Sequence, residues 1–343
     1  MTFDSTACQM TNHTTAARRA TVDLHEIRAP VQDRLEQVAE ELSRIAVADY
    51  SMVNEINDYL LKVPGKLFRP TLVLLASELE GRSPRSALTL AAVVELVHIA
   101  TLVHDDAVDH SVLRRGMPTV NAVWSHQVAI ILGDYLYSRS VTELARLGDL
   151  EAVRVLAAAA NRMSVGEMRQ LLAYDDITYS EAEYFRLISA KTASLMSAAC
   201  ELGALAGNPV HRAPLARYGH ALGMAFQITD DMLDYEGSES VTGKPAGLDL
   251  RGRKVTLPLI GALREMASSD MDRVRHVFTL VEPGDDEVEA VIELVRRNGG
   301  LEYARAKATE HASAAEMAIR GLPPGPALRA LRDAVLYVMD RSR

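Results

Sequence analysis

Two aspartate triplets carry the clearest chemical signal in this chain. Asp105, Asp106 and Asp109 lie in HDDAVD, and Asp230, Asp231 and Asp234 lie in TDDMLD. Both follow the pattern DDxxD. On a helix, positions i and i+4 share a face, so the outer carboxylates of each triplet point the same way with the middle one beside them. Each triplet follows an apolar run, which places it at the end of a partly buried helix. Carboxylates crowded there repel one another and are costly unless cations neutralise them. The cation that suits such ligands is hard and oxygen-seeking. Mg²⁺ fits, held by a few carboxylates with its remaining positions open to water and phosphate oxygens. One triplet alone could be a solvated acidic helix face, but two copies at two apolar helix ends argue against that. Asp175–Asp176 and Asp285–Asp286 lack this pattern and receive no role. Glu95 and His98 form a single ExxH pair, and helical di-iron sites need two.

Cationic side chains accompany the triplets. Arg114 and Arg115 follow the first in LRRGMPTVN, and Lys66 and Arg69 stand in PGKLFRP. Lys191 lies in AKTASL, and Lys244 and Lys254 lie in the polar stretch after the second triplet. Singly, each reads as a solvated surface charge. Together they supply enough positive charge for two diphosphates, with arginine able to bind in bidentate fashion.

The elements that must position these groups read as helices. Val31, Leu35, Val38, Leu42 and Ile45 repeat at three and four residues and form one apolar stripe. Similar periodicity predicts helices over 67–79, 85–110, 121–147, 150–173, 181–206, 213–236 and 256–267, joined by short Gly-, Pro-, Asp- or Ser-marked turns. There is no run of strand alternation and no repeat of 20 to 50 residues. One long polar connection, Glu236 to Lys254, follows the second triplet; a loop of that length in a compact domain is usually functional or disordered.

Composition narrows the function. The chain has 343 residues, 48% of them hydrophobic and only 5% aromatic, with a net charge of −9. Such a chain can build a core large enough to enclose a ligand, and its Ala, Leu and Val content favours helix. Net acidity argues against nucleic acid and anionic membranes as partners, though not against an anionic substrate bridged by metal. Cys8 and Cys200 have no disulfide or metal spacing, which predicts a reducing, cytoplasmic setting. Residues 1–20 hold no apolar signal segment and read as a disordered tail before a single domain over 21–343. The apolar stretch Ala87 to Val103 carries Glu95 and His98 and runs into Asp105, so it reads as a buried helix and not a membrane span.

With these motifs in order, the sequence resembles the trans-type polyprenyl diphosphate synthases. The resemblance runs from about Gly65 to Leu259. It rests on GKLFRP, ELVHIATLVHDDAVDHSVLRRGMPTVN, GDYLYSR, GEMRQ, KTASL, FQITDDMLDY and GKPAGLDLRGRKVTLPL. It implies an all-α bundle of antiparallel helices around a deep central cavity, usually a homodimer, that condenses isopentenyl diphosphate with an allylic diphosphate. It implies a Mg²⁺–diphosphate site on Asp105, Asp106, Asp109, Asp230 and Asp234, with Asp231 in an outer position. Arg114, Lys191 and Lys244 would grip the allylic diphosphate; Lys66, Arg69, His98 and Arg115 would hold isopentenyl diphosphate. Thr192 and Gln227 would face the reacting carbons, with Lys254 closing the loop motif. The family usually has Arg after the Lys of the GK pair, where this chain has Leu67.

Product length is expected to follow from the helix below Asp105. Ala100 and Thr101 lie about 7.5 Å and one turn before Asp105 at roughly 1.5 Å per residue. Short-chain relatives carry bulky residues near these positions. Here both are small, and Leu96 and Val97 below them are only medium-sized, which favours a medium- or long-chain product, heptaprenyl to decaprenyl. Three alternatives remain: a short-chain farnesyl or geranylgeranyl synthase, a helical terpene cyclase, and a non-catalytic partner subunit.

Overall fold

The computed structural model describes residues 22–62, 65–82, 84–172, 177–236 and 246–340. Its architecture is all-helical. In chain order come α1 (Leu24–Arg28), α2 (Gln32–Ala46), α3 (Ser51–Leu61), α4 (Phe68–Ser77), α5 (Ser86–Val108), α6 (Val120–Val123), α7 (His126–Leu147) and α8 (Leu150–Leu172). Then follow α9 (Glu181–Ile188), α10 (Ser194–Ala206), α11 (Arg212–Glu236), α12 (Leu248–Arg251) and α13 (Leu257–Leu263). The chain ends with α14 (Ser268–Thr279), α15 (Asp285–Arg297), α16 (Gly300–Ala318) and α17 (Pro326–Asp340). The expected tail 1–20, Cys8 and Lys244 lie outside the described residues.

Local chemistry explains most boundaries. Asp23 and Glu26 form a capping box on α1, and Ser180 and Glu183 form another on α9. Gly148 ends α7 in the left-handed region at φ 69°. The helix expected over 121–147 is broken at Trp124–Ser125. Ser125 is extended there and its hydroxyl accepts from Val128 N at 3.2 Å, capping a new helix. The segment expected as one helix over 181–206 widens at Ser189–Ala193 into a π turn. That turn carries Lys191 and Thr192, and π turns often occur at functional sites.

Two further expectations are corrected. A two-residue hairpin pairs Leu113–Arg114 with Met117–Pro118, where the sequence showed no strand. Its central residues, Arg115 at φ 51° and Gly116 at φ 77°, both have positive φ, as a tight hairpin turn requires. Two-residue strands are too short to leave an alternating pattern. The stretch after Glu236 is not loop throughout, because α12 occupies Leu248–Arg251.

The helices bury two apolar clusters. The larger is built from α2, α4, α5, α7, α8, α10 and α17, and the smaller from α9 and α12 to α16. α11 belongs to both: Leu215, Tyr218 and Leu222 face the first, and Ile228, Met232 and Tyr235 the second. The second triplet is thus mounted on a helix gripped from both sides. α5 is long and apolar enough to cross a membrane, but 61% of its apolar window is buried, packed against α2, α4, α7 and α10. It is the central core helix, as expected, and it delivers the first triplet.

Candidate active site

The first triplet sits at the carboxyl end of α5, where the helix dipole already disfavours negative charge. Asp105 and Asp106 lie in the last turn and Asp109 caps it, its amide donating to Asp105 O at 2.8 Å. Burial raises the Asp105 carboxyl to about 6; Lys191 opposes this, while Glu167 and Asp109 reinforce it. Lys191 Nζ stands 3.5 Å from Asp105 Oδ2, 2.6 Å from Glu167 Oε2 and 3.1 Å from Gln170 Oε1. Asp106 is buried. Its Oδ2 accepts from Arg114 Nε at 2.7 Å, and its Oδ1 is buried without a partner among the described residues.

The second triplet divides its labour. Asp230 is exposed at the rim. Asp231 is buried and accepts from Tyr184 Oη at 2.5 Å and from Gln227 Nε2 at 2.8 Å. Burial, then the neighbouring Asp249, hold the Asp231 carboxyl well above its usual range. Asp234 accepts from the amides of Leu248 and Asp249 at 2.9 and 2.8 Å, so it caps α12. Burial raises its carboxyl, and the two amide bonds oppose the rise. Asp249 is held at about 7, by burial first and by Asp234 next, with Lys254 opposing.

The π turn joins the two triplets. Lys191 reaches Asp105, and the adjacent Thr192 donates to Gln227 Oε1 at 2.7 Å, which links it to Asp231. Two glycines make room for the turn. A Cβ on Gly166 of α8 would lie 3.0 Å from Ala190 Cβ, and one on Gly223 of α11 would lie 2.6 Å from Ala193 Cα. Among the described residues, four non-glycine residues have positive φ (Leu67, His110, Arg115 and Arg253), and all lie within the predicted motifs. Backbone strain of this kind gathers at functional sites.

Two cavities flank these groups. One, of about 180 Å³, is lined by Lys191, Thr192, Gln227, Asp231, Asp249 and Lys254, among others. The other, of about 210 Å³, has a polar end at Gly65, Glu95, His98, Asp106, Arg114 and Arg115. Its apolar walls include Leu60 and Leu61 of α3 and Ile99, Leu102 and Val103 of α5. Arg114, expected beside Lys191, lies in this second cavity because it is paired with Asp106. Burial, together with Arg69, Arg115 and Arg114, pushes His98 well below its ordinary range. Arg69 is half-buried in the first turn of α4, and Lys66 is exposed with Nζ 3.4 Å from Tyr337 Oη.

The residues expected to set product length lie elsewhere on α5. Leu96, Val97 and Ala100 are core residues, 1%, 1% and 2% exposed. The Thr101 hydroxyl donates to His98 O at 2.8 Å. None of the four lines either cavity, because Glu95, His98, Ile99, Leu102, Val103 and Asp106 form one stripe of the helix and these four lie off it. Sequence reasoning also missed Glu167, Gln170, Tyr184 and Asp249. Glu167 and Gln170 had a signal, an i,i+3 pair inside GEMRQ; Tyr184 and Asp249 become recognisable only by their contacts.

All the potential metal donors at the triplets are oxygens, and Asp106 Oδ1 is an orphaned one, which suits a hard divalent ion. Among the described residues no three ligating side chains converge on one point. An ion held here therefore takes much of its coordination from diphosphate oxygens or water.

Comparison with known proteins agrees with this geometry. Residues 50–295 match the polyprenyl synthetase family. Heptaprenyl diphosphate synthase component 2 of Geobacillus stearothermophilus is 39% identical over 317 residues, 91% of this chain and 97% of that protein. A decaprenyl diphosphate synthase structure from Rhodobacter capsulatus superposes with a TM-score of 0.88 at 34% identity, covering 94% of this chain and all of that one. A polyprenyl synthase from Caulobacter crescentus, complexed with calcium and isoprenyl diphosphate, gives 0.88 at 31% identity over 95% and 99% of the two chains. The chain belongs to the polyprenyl synthetase family and is a prenyltransferase.

Proposed function

We propose that this enzyme condenses isopentenyl diphosphate with an allylic diphosphate, using Mg²⁺, and releases an all-trans polyprenyl diphosphate of heptaprenyl to decaprenyl length. The observation that carries this reading is the π turn, whose successive residues touch both aspartate triplets: Lys191 at Asp105 and Thr192, through Gln227, at Asp231. Bound Mg²⁺ supplies charge neutralisation of the leaving diphosphate. Asp105, Asp106, Asp109, Asp230 and Asp234 are the ligands by motif, of which Asp109 and Asp230 are exposed and Asp105 and Asp234 half-buried. Asp234 binds metal only by sharing an oxygen with the α12 amides or through water.

The residues divide the remaining work. Arg114, Lys191, Lys254 and, from outside the described residues, Lys244 hold the allylic diphosphate. Lys66, Arg69, His98 and Arg115 hold isopentenyl diphosphate. The low pKa of His98 keeps its imidazole neutral, able to donate one hydrogen bond. The Thr192 and Gln227 dipoles stabilise the allylic cation as the carbon–oxygen bond breaks. The released diphosphate takes the proton lost after carbon–carbon bond formation.

On α5 the larger cavity is bounded by Ile99, Leu102 and Val103, and the small Ala100 and Thr101 and medium-sized Leu96 and Val97 beside them put no bulky side chain behind that wall. Exposed apolar residues on α7 (Ile130 41%, Ile131 67%, Val141 39%) and α8 (Val165 44%, Met168 61%) support a homodimer through these helices. A cytoplasmic setting fits the buried Cys200 thiol. The deciding experiment incubates the isolated chain with isopentenyl diphosphate and each allylic primer, with Mg²⁺ or chelator, and measures product length. Elongation past geranylgeranyl length that needs Mg²⁺ supports the reading. Arrest at farnesyl or geranylgeranyl length refutes the chain-length assignment. A cyclised product, or no activity without a second subunit, refutes the function.

A further inference from the structure

Glu167 has no role in the chemistry above, yet it makes the shortest polar contact of Lys191 among the described residues. Its Oε2 lies 2.6 Å from Lys191 Nζ, and Gln170 Oε1 accepts from the same nitrogen at 3.1 Å. The two acceptors stand at i and i+3 and so share one face of α8. A close approach of α8 to the π turn delivers them. Gly166, next to Glu167, sits so near that a Cβ there would lie 3.0 Å from Ala190 Cβ and 3.3 Å from Lys191 N. The contact is sheltered: the Lys191, Glu167 and Asp105 side chains are 28%, 21% and 20% exposed. Burial opposes the charge on Lys191, but Asp105 and then Glu167 hold its pKa above the ordinary lysine value. The side chain is therefore an ammonium.

An ammonium carries three N–H donors on one tetrahedral nitrogen. Glu167 and Gln170 take two of them from the α8 side. The third is thereby turned toward Asp105, whose Oδ2 is 3.5 Å away, longer than a charged hydrogen bond of about 2.7–2.9 Å. A lysine head on its four-carbon stem otherwise samples many rotamers, and ordering it on binding costs affinity. Gln170 lines the smaller cavity with Lys191 and Thr192, whereas Glu167 lines neither cavity. Glu167 thus stands behind the lysine and away from the substrate space. We propose that Glu167 is the positioning residue of Lys191: with Gln170 it fixes two ammonium donors on α8 and aims the third at the leaving diphosphate. It acts through Lys191 and touches neither substrate nor metal. This inference rests on reading Lys191 as a ligand of the allylic diphosphate.

Steady-state kinetics on the full chain with Mg²⁺ test it, each substrate being varied with the other saturating. Glu167→Leu removes the acceptor at similar volume. It lowers kcat/KM for the allylic diphosphate about tenfold, the scale of one charged hydrogen bond, and leaves the KM for isopentenyl diphosphate within about twofold. Glu167→Gln keeps an acceptor oxygen and stays within about threefold of the parent. In a Lys191→Ala background, Glu167→Leu changes the rate by less than about twofold, because nothing is left to position. Equal losses in Glu167→Leu and Glu167→Gln overturn the proposal, since they assign Glu167 a role of charge alone. An additive loss in the double variant overturns it too. So does a raised Mg²⁺ requirement in Glu167→Leu, which marks a metal ligand, or an equal rise in both KM values with a lowered Tm, which marks a purely structural role. Lys191→Ala by itself separates the two levels. If it lowers the allylic kcat/KM while Glu167→Leu does not, only the positioning role falls; if it changes nothing, the reading of Lys191 falls and the proposal with it.

Discussion

Replacing Asp105 with Asn should make the unliganded enzyme more stable and far less active. A carboxyl held at about 6 in place of its ordinary 3.8 destabilises the fold by about 3 kcal/mol above pH 7, at roughly 1.36 kcal/mol for each pH unit of displacement. The side chain is 20% exposed, and solvent screening trims this to about 2 kcal/mol. The sign follows from the direction of the displacement. A raised folded pKa favours the fold fully below 3.8, and that contribution is lost as pH rises through about 6. Asn carries no charge, so Asp105→Asn should gain over the parent at pH 8 and lose its advantage near pH 4. Lys191 keeps Glu167 as its nearer partner at 2.6 Å, so it is not stranded by the change. Thermal unfolding without diphosphate or metal reads this as a Tm higher by about 2–4 °C at pH 8. The same variant should lose about a hundredfold or more in kcat, the scale of removing a principal electrostatic stabiliser. A lower Tm at pH 8, or full activity at saturating substrate, would refute the assignment of Asp105 as a carboxylate held in place for a cation it must receive.

Tyr184→Phe removes one of the two donors to Asp231 and should cost about 1–3 kcal/mol of stability at neutral pH, measured by denaturant unfolding; an unchanged midpoint would contradict its buried role. Gly223→Ala drives a methyl into the Ala193 backbone, 2.6 Å from Cα, and should shift the π turn and lower kcat by about tenfold or more. Product analysis showing normal turnover there would mean that the turn does not aim Lys191 and Thr192. Ala100→Phe should shorten the product while leaving the first condensations intact. Because Ala100 is buried in the core beside the cavity stripe, it should also destabilise the fold by about 1–3 kcal/mol, and unchanged chain length would show that the packing behind Ile99 and Leu102 does not limit the product.

The sequence by itself determined the helical class, the two DDxxD triplets and the cationic motifs that serve them. The reason is that these signals are local: a 3.6-residue apolar period, an i,i+4 carboxylate pair and short contiguous motifs survive in one dimension. It also identified the core helix, since Glu95, His98 and Asp105 interrupt an otherwise apolar run. The tertiary structure alone decided which aspartates are tied down by buried hydrogen bonds. Asp231 is consumed by Tyr184 and Gln227 and Asp234 by the first amides of α12, contacts that join residues far apart in the chain. It decided that Arg114 pairs with Asp106, that the cavity stripe of α5 passes through Ile99 and Leu102 and misses Ala100, and that Lys191 sits on a π turn. Helical phase, a one-residue widening of a helix and the sharing of a buried charge depend on how helices pack against one another, and side-chain type and spacing along the chain do not encode that packing in any one stretch.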